Sequence, residues 1–302
     1  MRICSLLPGA TEIAFSLGLG DQIVGVTHEC DYPHDAKQKR VVVRSGIDSI
    51  RMSGLEIDRK VGELLNAGKG LYTIDEQAFA EAAPDVILTQ GLCDVCALDY
   101  NEVVRAARLL PHSPEILSLN PHSLTDILDD ILRVGAATHR KAAAQALADD
   151  LRQRIARVGH REPDYRPRII CLEWFEPLYV AGHWVPEMVA LAGGYDVLGR
   201  KGEPSFKVEW RTVADSKPDV ILLIPCGFDV RRTVKESTPL RRLEGWNELP
   251  AVKTENVYAL NGSAYFSRPG PRLVNGLEIL AHIIHPNEIT QSLSESDAAR
   301  IH

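Results

Sequence analysis

The sequence predicts an α/β protein made of two Rossmann-like lobes with parallel sheets, joined by a single long helix. Three observations predict this class. The pentapeptide Pro-Asp-Val-Ile-Leu occurs at residues 84–88 and again at 218–222. Strand and helix patterns alternate around both copies, which is typical of parallel sheets. Between the two halves, residues 122–158 keep helical spacing and contain no proline.

The first half of the chain alternates short apolar runs with helical segments. The first run is ended by the turn residues Pro8 and Gly9. The predicted strands are 3–7, 22–27, 41–43, 84–88 and 115–119, and the predicted helices begin near Thr11, near Val61 and at Glu76.

The middle of the chain predicts the connecting helix. Asn120 and Pro121 give a helix cap followed by proline at the first helical position. An uninterrupted helix over 122–158 would be about 55 Å long at ~1.5 Å per residue, which exceeds one small domain. Gly135 is the point where such a helix can bend. The expected division is an N-terminal lobe at 1–119, a linking helix at 120–160 and a C-terminal lobe at 161–302.

The second half repeats the opening of the first. Arg-Ile-Ile-Cys-Leu at 168–172 echoes Arg-Ile-Cys-Ser-Leu at 2–6, and the second Pro-Asp-Val-Ile-Leu follows a short predicted helix. This order makes duplication of one lobe the favoured interpretation. The remaining predictions are helices at 186–192 and 271–284, a strand at 257–260 and a frayed polar tail at 286–302.

Composition and charge exclude several classes of function. Hydrophobic residues are 45% of the chain and charged residues 25%, which is ordinary for a globular protein. The net charge of -7 argues against nucleic acid as the main partner. No apolar run approaches the ~20 residues that a membrane-spanning helix needs. The start of the chain carries no apolar leader, so we expect a cytoplasmic protein, or a periplasmic or lipid-anchored one if a leader was removed.

The segments that follow the predicted strands are the candidate ligand site, because parallel α/β sheets bind ligands at the carboxyl ends of their strands. If the two lobes face each other, these segments line one cleft, and their aromatic rings offer flat faces to a large ligand. The alternative is that the rings pack beneath their own loops. The candidate ligand-binding residues are Pro8, Gly9, Ala10, Thr11, Glu29, Cys30, Asp31, Tyr32, Gln90, Leu92, Cys93, Asp94, Trp174, Phe175, Trp184, Phe228, Tyr265, Phe266 and Arg268.

The six cysteines predict two different environments. Cys4 and Cys171 lie in apolar runs and are predicted to be buried free thiols. A lone Cys-x-x-Cys at 93–96 lacks the second pair that a structural zinc site usually has. Residues from another strand end could complete the set, but the favoured interpretation is that these thiols line the cleft. The candidate metal ligands are Cys30, Cys93, Cys96 and His28.

Two histidines are candidate axial ligands for a metal held in a flat macrocycle. His28 and His183 both lie in or beside the predicted loops, and an imidazole can coordinate cobalt or iron. A surface or capping histidine is the competing interpretation for each.

Several of these motifs together resemble one family. Ser-Leu-Leu-Pro-Gly-Ala-Thr-Glu-Ile at 5–13, both copies of Pro-Asp-Val-Ile-Leu, Ser-Leu-Asn-Pro at 118–121 and Tyr-Phe-Ser-Arg-Pro-Gly-Pro-Arg at 265–272 carry the likeness. They resemble the helical-backbone (class III) substrate-binding proteins of cobalamin and ferric-chelate importers, most of all the cobalamin-binding branch. The resemblance covers about residues 1–285. It implies two lobes joined by a rigid helix, a ligand held in the cleft, and no catalysis.

The chain departs from that family at two places. Family members are normally exported, whereas no leader is evident here. They also dock on a permease through one exposed glutamate per lobe, and the matching positions here are Gln77 and Arg211. The anion–cation docking contact would be lost or reversed in the second lobe, and both departures point away from ordinary import.

The leading hypothesis is therefore a non-enzymatic, intracellular binder of a cobalamin-like corrinoid. The alternatives are a metal- or thiol-dependent enzyme that uses Cys30, Cys93, Cys96 and His28, and a binder of haem or a ferric chelate in the same cleft.

Overall fold

The computed structural model describes residues 1–91, 98–160, 165–286 and 293–301. The strands are β1 Ile3–Ser5, β2 Ile23–Thr27, β3 Val41–Ser45, β4 Tyr72–Ile74, β5 Val86–Thr89, β6 Glu115–Ser118, β7 Arg168–Phe175, β8 Leu178–Val180, β9 Tyr195–Asp196, β10 Phe206–Lys207, β11 Val220–Leu223, β12 Val257–Leu260 and β13 Ala298–Arg300. The helices are α1 Pro8–Ser16, α2 Gly54–Asn66, α3 Glu76–Ala82, α4 Tyr100–Arg108, α5 Leu124–Ala137, α6 Lys141–Gly159, α7 Val185–Leu191, α8 Trp210–Asp215, α9 Val230–Glu236, α10 Pro250–Lys253, α11 Gly262–Tyr265 and α12 Leu273–Ile284.

The chain divides into two compact units. The first comprises Met1–Met52, Glu56–Pro121 and Thr125–Asp150, and the second comprises Ser53–Leu55, His122–Leu124 and Leu151–His302. Each unit contains one mainly parallel sheet. The α/β class with two such sheets, predicted from the alternating pattern, is therefore confirmed.

The first unit is built on a sheet with the strand order β4-β3-β2-β1-β5-β6. All pairs are parallel except β3 with β4, which is antiparallel. Its core is formed by apolar side chains of β1, β3, β5, α3 and α4, with Leu6, Phe79 and Ile87 almost completely buried. The first Pro-Asp-Val-Ile-Leu provides β5, which pairs with β1 from Ile3 opposite Val86.

The second unit is built on a sheet with the order β10-β8-β7-β11-β12-β13, and β9 pairs with the start of β7. β11 pairs in parallel with β7 and β12, whereas β8 is antiparallel to both of its neighbours, β7 and β10, and β13 is antiparallel to β12. The second Pro-Asp-Val-Ile-Leu provides β11, which pairs with β7 from Val220 opposite Ile169. The repeated pentapeptide thus marks the strand beside the opening strand of each sheet, as the duplication predicts.

The connecting segment differs from the prediction, because the helix expected over 122–158 is two helices. α5 ends at Ala137 and α6 begins at Lys141, and His139 between them has φ +59°. A Cβ on Gly135 would lie 2.2 Å from the Cβ of Ala144, so α5 and α6 approach each other closely there. Gly135 therefore serves close packing beside a sharp turn, and no 55 Å rod forms.

Several short strands were also missed, and the C-terminal tail was wrongly predicted. The strands β4, β8, β9 and β10, each of two or three residues, were not predicted. The tail predicted to fray contains β13, which pairs with β12 through three residue pairs and is followed by the buried Ile301. Across the described residues, none of the helices combines the length and the apolar character needed to cross a membrane.

One ion pair within the second unit joins two helices that are far apart in the sequence. Arg154 of α6 donates from Nε to Glu278 Oε1 at 2.9 Å and from a terminal nitrogen to Oε2 at 2.7 Å. The two side chains are only 22% and 24% exposed, so water screens the pair weakly.

We expect Arg154→Ala to lower the free energy of unfolding by about 1–2 kcal/mol, because the bidentate pair is lost and Glu278 stays partly buried. Urea denaturation measures this. The matched control is Arg59→Ala, which removes a single-contact pair with Glu63 at 3.6 Å on an exposed face and should change stability by less than about 0.5 kcal/mol. Equal effects of the two substitutions would contradict the assignment.

Candidate functional site

The end of β1 and the end of β2 are joined by a buried polar cluster in the first unit. Thr11 donates from Oγ1 to Ser5 Oγ at 2.8 Å, and the same oxygen lies 3.0 Å from Cys30 Sγ. Thr27 Oγ1 lies 3.4 Å from the same sulfur. The structure therefore brings the predicted residues Thr11 and Cys30 together, but as buried groups that hold two loops to each other.

The other predicted residues of the first unit differ in exposure. Gly9 and Ala10 are buried in the first turn of α1, and Pro8 is half-buried. Glu29, Asp31 and Tyr32 are exposed, and the Glu29 carboxylate lies 3.7 Å from the His28 ring. Gln90 at the end of β5 is buried, and the next residue, Gly91, donates its backbone N–H to Asn120 Oδ1 at 2.6 Å. The predicted residues Leu92, Cys93, Asp94 and Cys96 lie outside the described residues.

Four of the predicted aromatic residues of the second unit are buried side chains. Phe175, Trp184, Phe228 and Phe266 are each less than 10% exposed. The Trp184 indole also donates from Nε1 to the Phe266 carbonyl at 2.8 Å. This hydrogen bond joins the segment that contains Trp184 to the segment that contains Phe266. These four rings therefore pack under their own loops and do not offer a free ring face to a ligand.

Trp174 and Tyr265 remain partly accessible. The Trp174 ring lies 5.3 Å from the Phe228 ring, and the Arg232 guanidinium covers Phe228 at 3.8 Å from its centroid. Burial lowers the pKa of Arg232, while the charges of Glu236 and Asp229 act against that shift. The Tyr265 hydroxyl donates to Asp297 Oδ1 at 2.7 Å, and Arg268 is half-buried nearby in sequence.

A small depression opens beside Trp174 at the ends of β7 and β11. Its empty space is about 210 Å³, part of which is open to solvent, so the depression does not enclose a ligand by itself. The lining residues are Gly54, Trp174, Phe175, Glu176, Pro225, Phe228 and Glu236.

The sequence did not single out four of these lining residues. Glu176 and Pro225 lie in predicted strand-end segments, and that position was the signal that could have identified them. Glu236 is the last residue of α9 and Gly54 the first of α2, and neither position stands out in the sequence. The two meet where the Gly54 backbone N–H donates to Glu236 Oε2 at 3.2 Å.

The predicted metal set is not assembled among the described residues. They contain no group of three or more His, Cys, Asp or Glu side chains placed to hold a metal ion. Cys30 faces hydroxyl groups, and Cys93 and Cys96 lie outside the described part of the chain. Cys4 and Cys171 are buried free thiols as predicted, and burial raises the pKa of Cys4 to about 12.

The two positions that the resemblance assigns to docking lie on helices. Gln77 is in the first turn of α3 and donates from its amide to Glu81 Oε1 at 3.0 Å. Arg211 of α8 is 91% exposed and lies 3.7 Å from the Asp215 carboxylate. Neither position presents an anion.

His183 is held in an unusual backbone conformation in the second unit. Its φ is +51°, and its backbone N–H donates to the Glu203 carbonyl at 2.6 Å while its carbonyl accepts from Gly202 at 2.8 Å. The imidazole lies 6.1 Å from the His122 ring, and its buried Nδ1 has no hydrogen-bond partner among the described residues. Burial lowers the pKa of His183, and the neighbouring His122 lowers it further.

We expect His183 to make folding less favourable at acid pH. Its pKa is lower in the folded chain, so below the ordinary value of ~6.5 the unfolded chain binds more protons and the free energy of unfolding falls as pH falls. His183→Asn removes the titration, and asparagine tolerates positive φ. The urea midpoint of the variant minus that of the parent should therefore increase when the pH is lowered from 7 to 5.

The difference is the quantity to measure, because other groups titrate in the same range. Burial raises the pKa of Asp130 and of Asp196 to about 6, so these carboxyls stabilise the fold as pH falls. His139→Asn is the matched control, since His139 also has positive φ and is exposed. A pH-independent difference for His183→Asn would show that the ring is not desolvated.

Comparison with known proteins identifies the family. A sequence profile described as periplasmic binding protein matches residues 3–264. A vitamin B12-binding protein of Vibrio cholerae is 26% identical over 280 residues, which are 92% of this chain and 86% of that protein. The crystal structure of a periplasmic vitamin B12 binding protein of Vibrio cholerae has a TM-score of 0.69 at 23% identity and covers 96% of this chain and 98% of that one. A periplasmic heme binding protein from Pseudomonas aeruginosa has a TM-score of 0.73 at 16% identity, with 99% and 97% covered.

At these identities the two solved structures establish the fold alone. Both are periplasmic proteins by name, and nothing in the comparisons supports the cytoplasmic location expected from the start of the sequence. The profile spans most of the chain, and the fold and the predicted resemblance agree with it. The chain belongs to the periplasmic binding protein family, a family of substrate-binding proteins rather than enzymes.

Proposed function

We propose that the protein binds a cobalamin-like corrinoid without chemical change, with strand-end loops of the second unit supplying part of the site. The observation that carries the proposal is a pair of aromatic rings in the second unit. The half-buried Trp174 ring packs against the Phe228 ring beside an open depression. A flat macrocycle can stack on such a ring, and the stacking of large aromatic surfaces contributes about 1 kcal/mol beyond the area buried.

The depression is open to solvent, so it would contact only an edge or side arm of a corrinoid. Further contacts within the second unit would come from the strand-end residues Tyr265 and Arg268, which are partly exposed.

The similarity to a vitamin B12-binding protein favours a corrinoid over the other candidates. A haem or ferric chelate is the second candidate, favoured by the likeness to a heme binding protein in fold. The alternative of a metal- or thiol-dependent enzyme has less support, because Cys30 is engaged with Thr11 and the family consists of binding proteins.

The two positions that the resemblance assigns to docking bear on contact with a transporter. With Gln77 on α3 and the exposed Arg211 on α8, we expect no docking through a pair of anionic side chains.

We expect Trp174→Ala to weaken corrinoid binding about tenfold or more, because the ring face against which the macrocycle stacks is lost. Titration of the purified protein with cobinamide and with cobalamin, followed by the visible spectrum of the ligand, measures the dissociation constant. Haem and a ferric chelate are titrated in parallel.

Tyr195→Ala is the control, because Tyr195 is a 56% exposed aromatic residue of the second unit on β9. It should bind as the parent protein does. Absence of corrinoid binding at high micromolar concentration would remove that ligand, and saturable binding of haem alone would replace it with the second candidate.

A further inference from the structure

We propose that the depression beside Trp174 binds a primary carboxamide arm of the ligand and disfavours a carboxylate in the same place. This inference rests on the proposed function and specifies the chemistry of one part of that site. It concerns the donor, the acceptors and the charge that the lining residues present.

The donor is the indole N–H of Trp174. Its Nε1 is buried and has no hydrogen-bond partner among the described residues. A buried donor without an acceptor is costly, so a ligand atom that accepts this hydrogen bond gains more than it would at an exposed donor. The carbonyl oxygen of an amide and the oxygen of a carboxylate can both accept it.

The acceptors distinguish these two ligand groups. Glu176 and Glu236 both line the depression, and the carboxylate of Glu236 accepts a backbone hydrogen bond from Gly54 at 3.2 Å, which leaves it further acceptor capacity. An amide NH₂ can donate to such a carboxylate. A ligand carboxylate has no hydrogen to donate and would instead place a third negative charge in the depression.

The surrounding charge does not reverse this preference. Among the described residues that line the depression there is no Lys, Arg or His. The Arg232 guanidinium lies over the Phe228 ring and interacts with two carboxylates, Asp229 and Glu236. Together with Glu176 these side chains carry three negative charges and one positive charge, so the local field opposes an anionic arm.

Gly54 lies beside the donor. A Cβ at Gly54 would lie 3.6 Å from Cζ2 and 3.8 Å from Nε1 of Trp174, which is ordinary contact distance. A methyl group at this position would therefore pack against the indole N–H. The chemistry of this site matches corrinoids, whose rim carries primary amide arms, better than haem, whose rim carries propionate carboxylates.

The experiment compares cobinamide with its monocarboxylic derivatives, in each of which one amide arm is hydrolysed to a carboxylate. At pH 7 we expect one isomer to bind about tenfold or more weakly than cobinamide and the others to bind nearly as well, because a single arm enters the depression. Trp174→Phe keeps a stacking ring, removes the donor and should weaken cobinamide binding about tenfold. Glu236→Gln removes one negative charge and should restore most of the lost affinity for the discriminated isomer.

The controls separate folding from binding. Trp210→Phe is the matched indole control, because Trp210 Nε1 already donates to the Glu244 carbonyl at 2.7 Å and lies outside the lining set. Gly54→Ala fits without overlap and should weaken cobinamide binding while the thermal midpoint stays at or above that of the parent. Equal binding of all isomers would overturn the amide inference and leave corrinoid binding in place. Failure of cobinamide itself to bind would instead remove the proposed function and the inference with it.

Discussion

The structure depends above all on the parallel pairing of the opening strand of each unit with the strand of the repeated pentapeptide. β1 pairs with β5, and β7 pairs with β11, in matching positions of the two sheets. Parallel neighbours require a crossover connection, so their carboxyl ends lie at the same edge of the sheet. The candidate binding loops that follow these strands lie at such an edge because of this one constraint.

The loops at these edges are fixed by buried interactions that differ between the units. In the first unit, small hydroxyl and thiol groups of Ser5, Thr11 and Cys30 hold two strand ends together. In the second unit, large rings hold the loops instead, with the Trp184 indole bound to the Phe266 carbonyl. Buried polar groups need partners, so each loop has few alternative conformations. The loop that carries a partly exposed side chain such as Trp174 is therefore already ordered, which limits the conformational entropy lost when a ligand binds.

Much of the architecture could be predicted, because it follows from local patterns. The apolar runs of β5, β11 and β12 and the short helix α3 are encoded in adjacent residues. The break between α5 and α6 could not be predicted, since His139 adopts positive φ without a glycine or proline to signal it. Edge strands of two or three residues also lack a period long enough to recognise. At the candidate site, the aromatic loops were foreseen, but the contribution of Glu236 arises only when the end of α9 is brought to Trp174 by the fold.

The last strand has a consequence for the integrity of the second sheet. β13 hydrogen-bonds along β12, and Ile301 returns its backbone N–H to the Val257 carbonyl at 2.9 Å. Without it, β12 would become the edge strand of the sheet and would leave its amides and carbonyls open to pairing with another polypeptide. With β13 in place the edge is a strand of only three residues, and so short an edge strand is a poor template for such pairing.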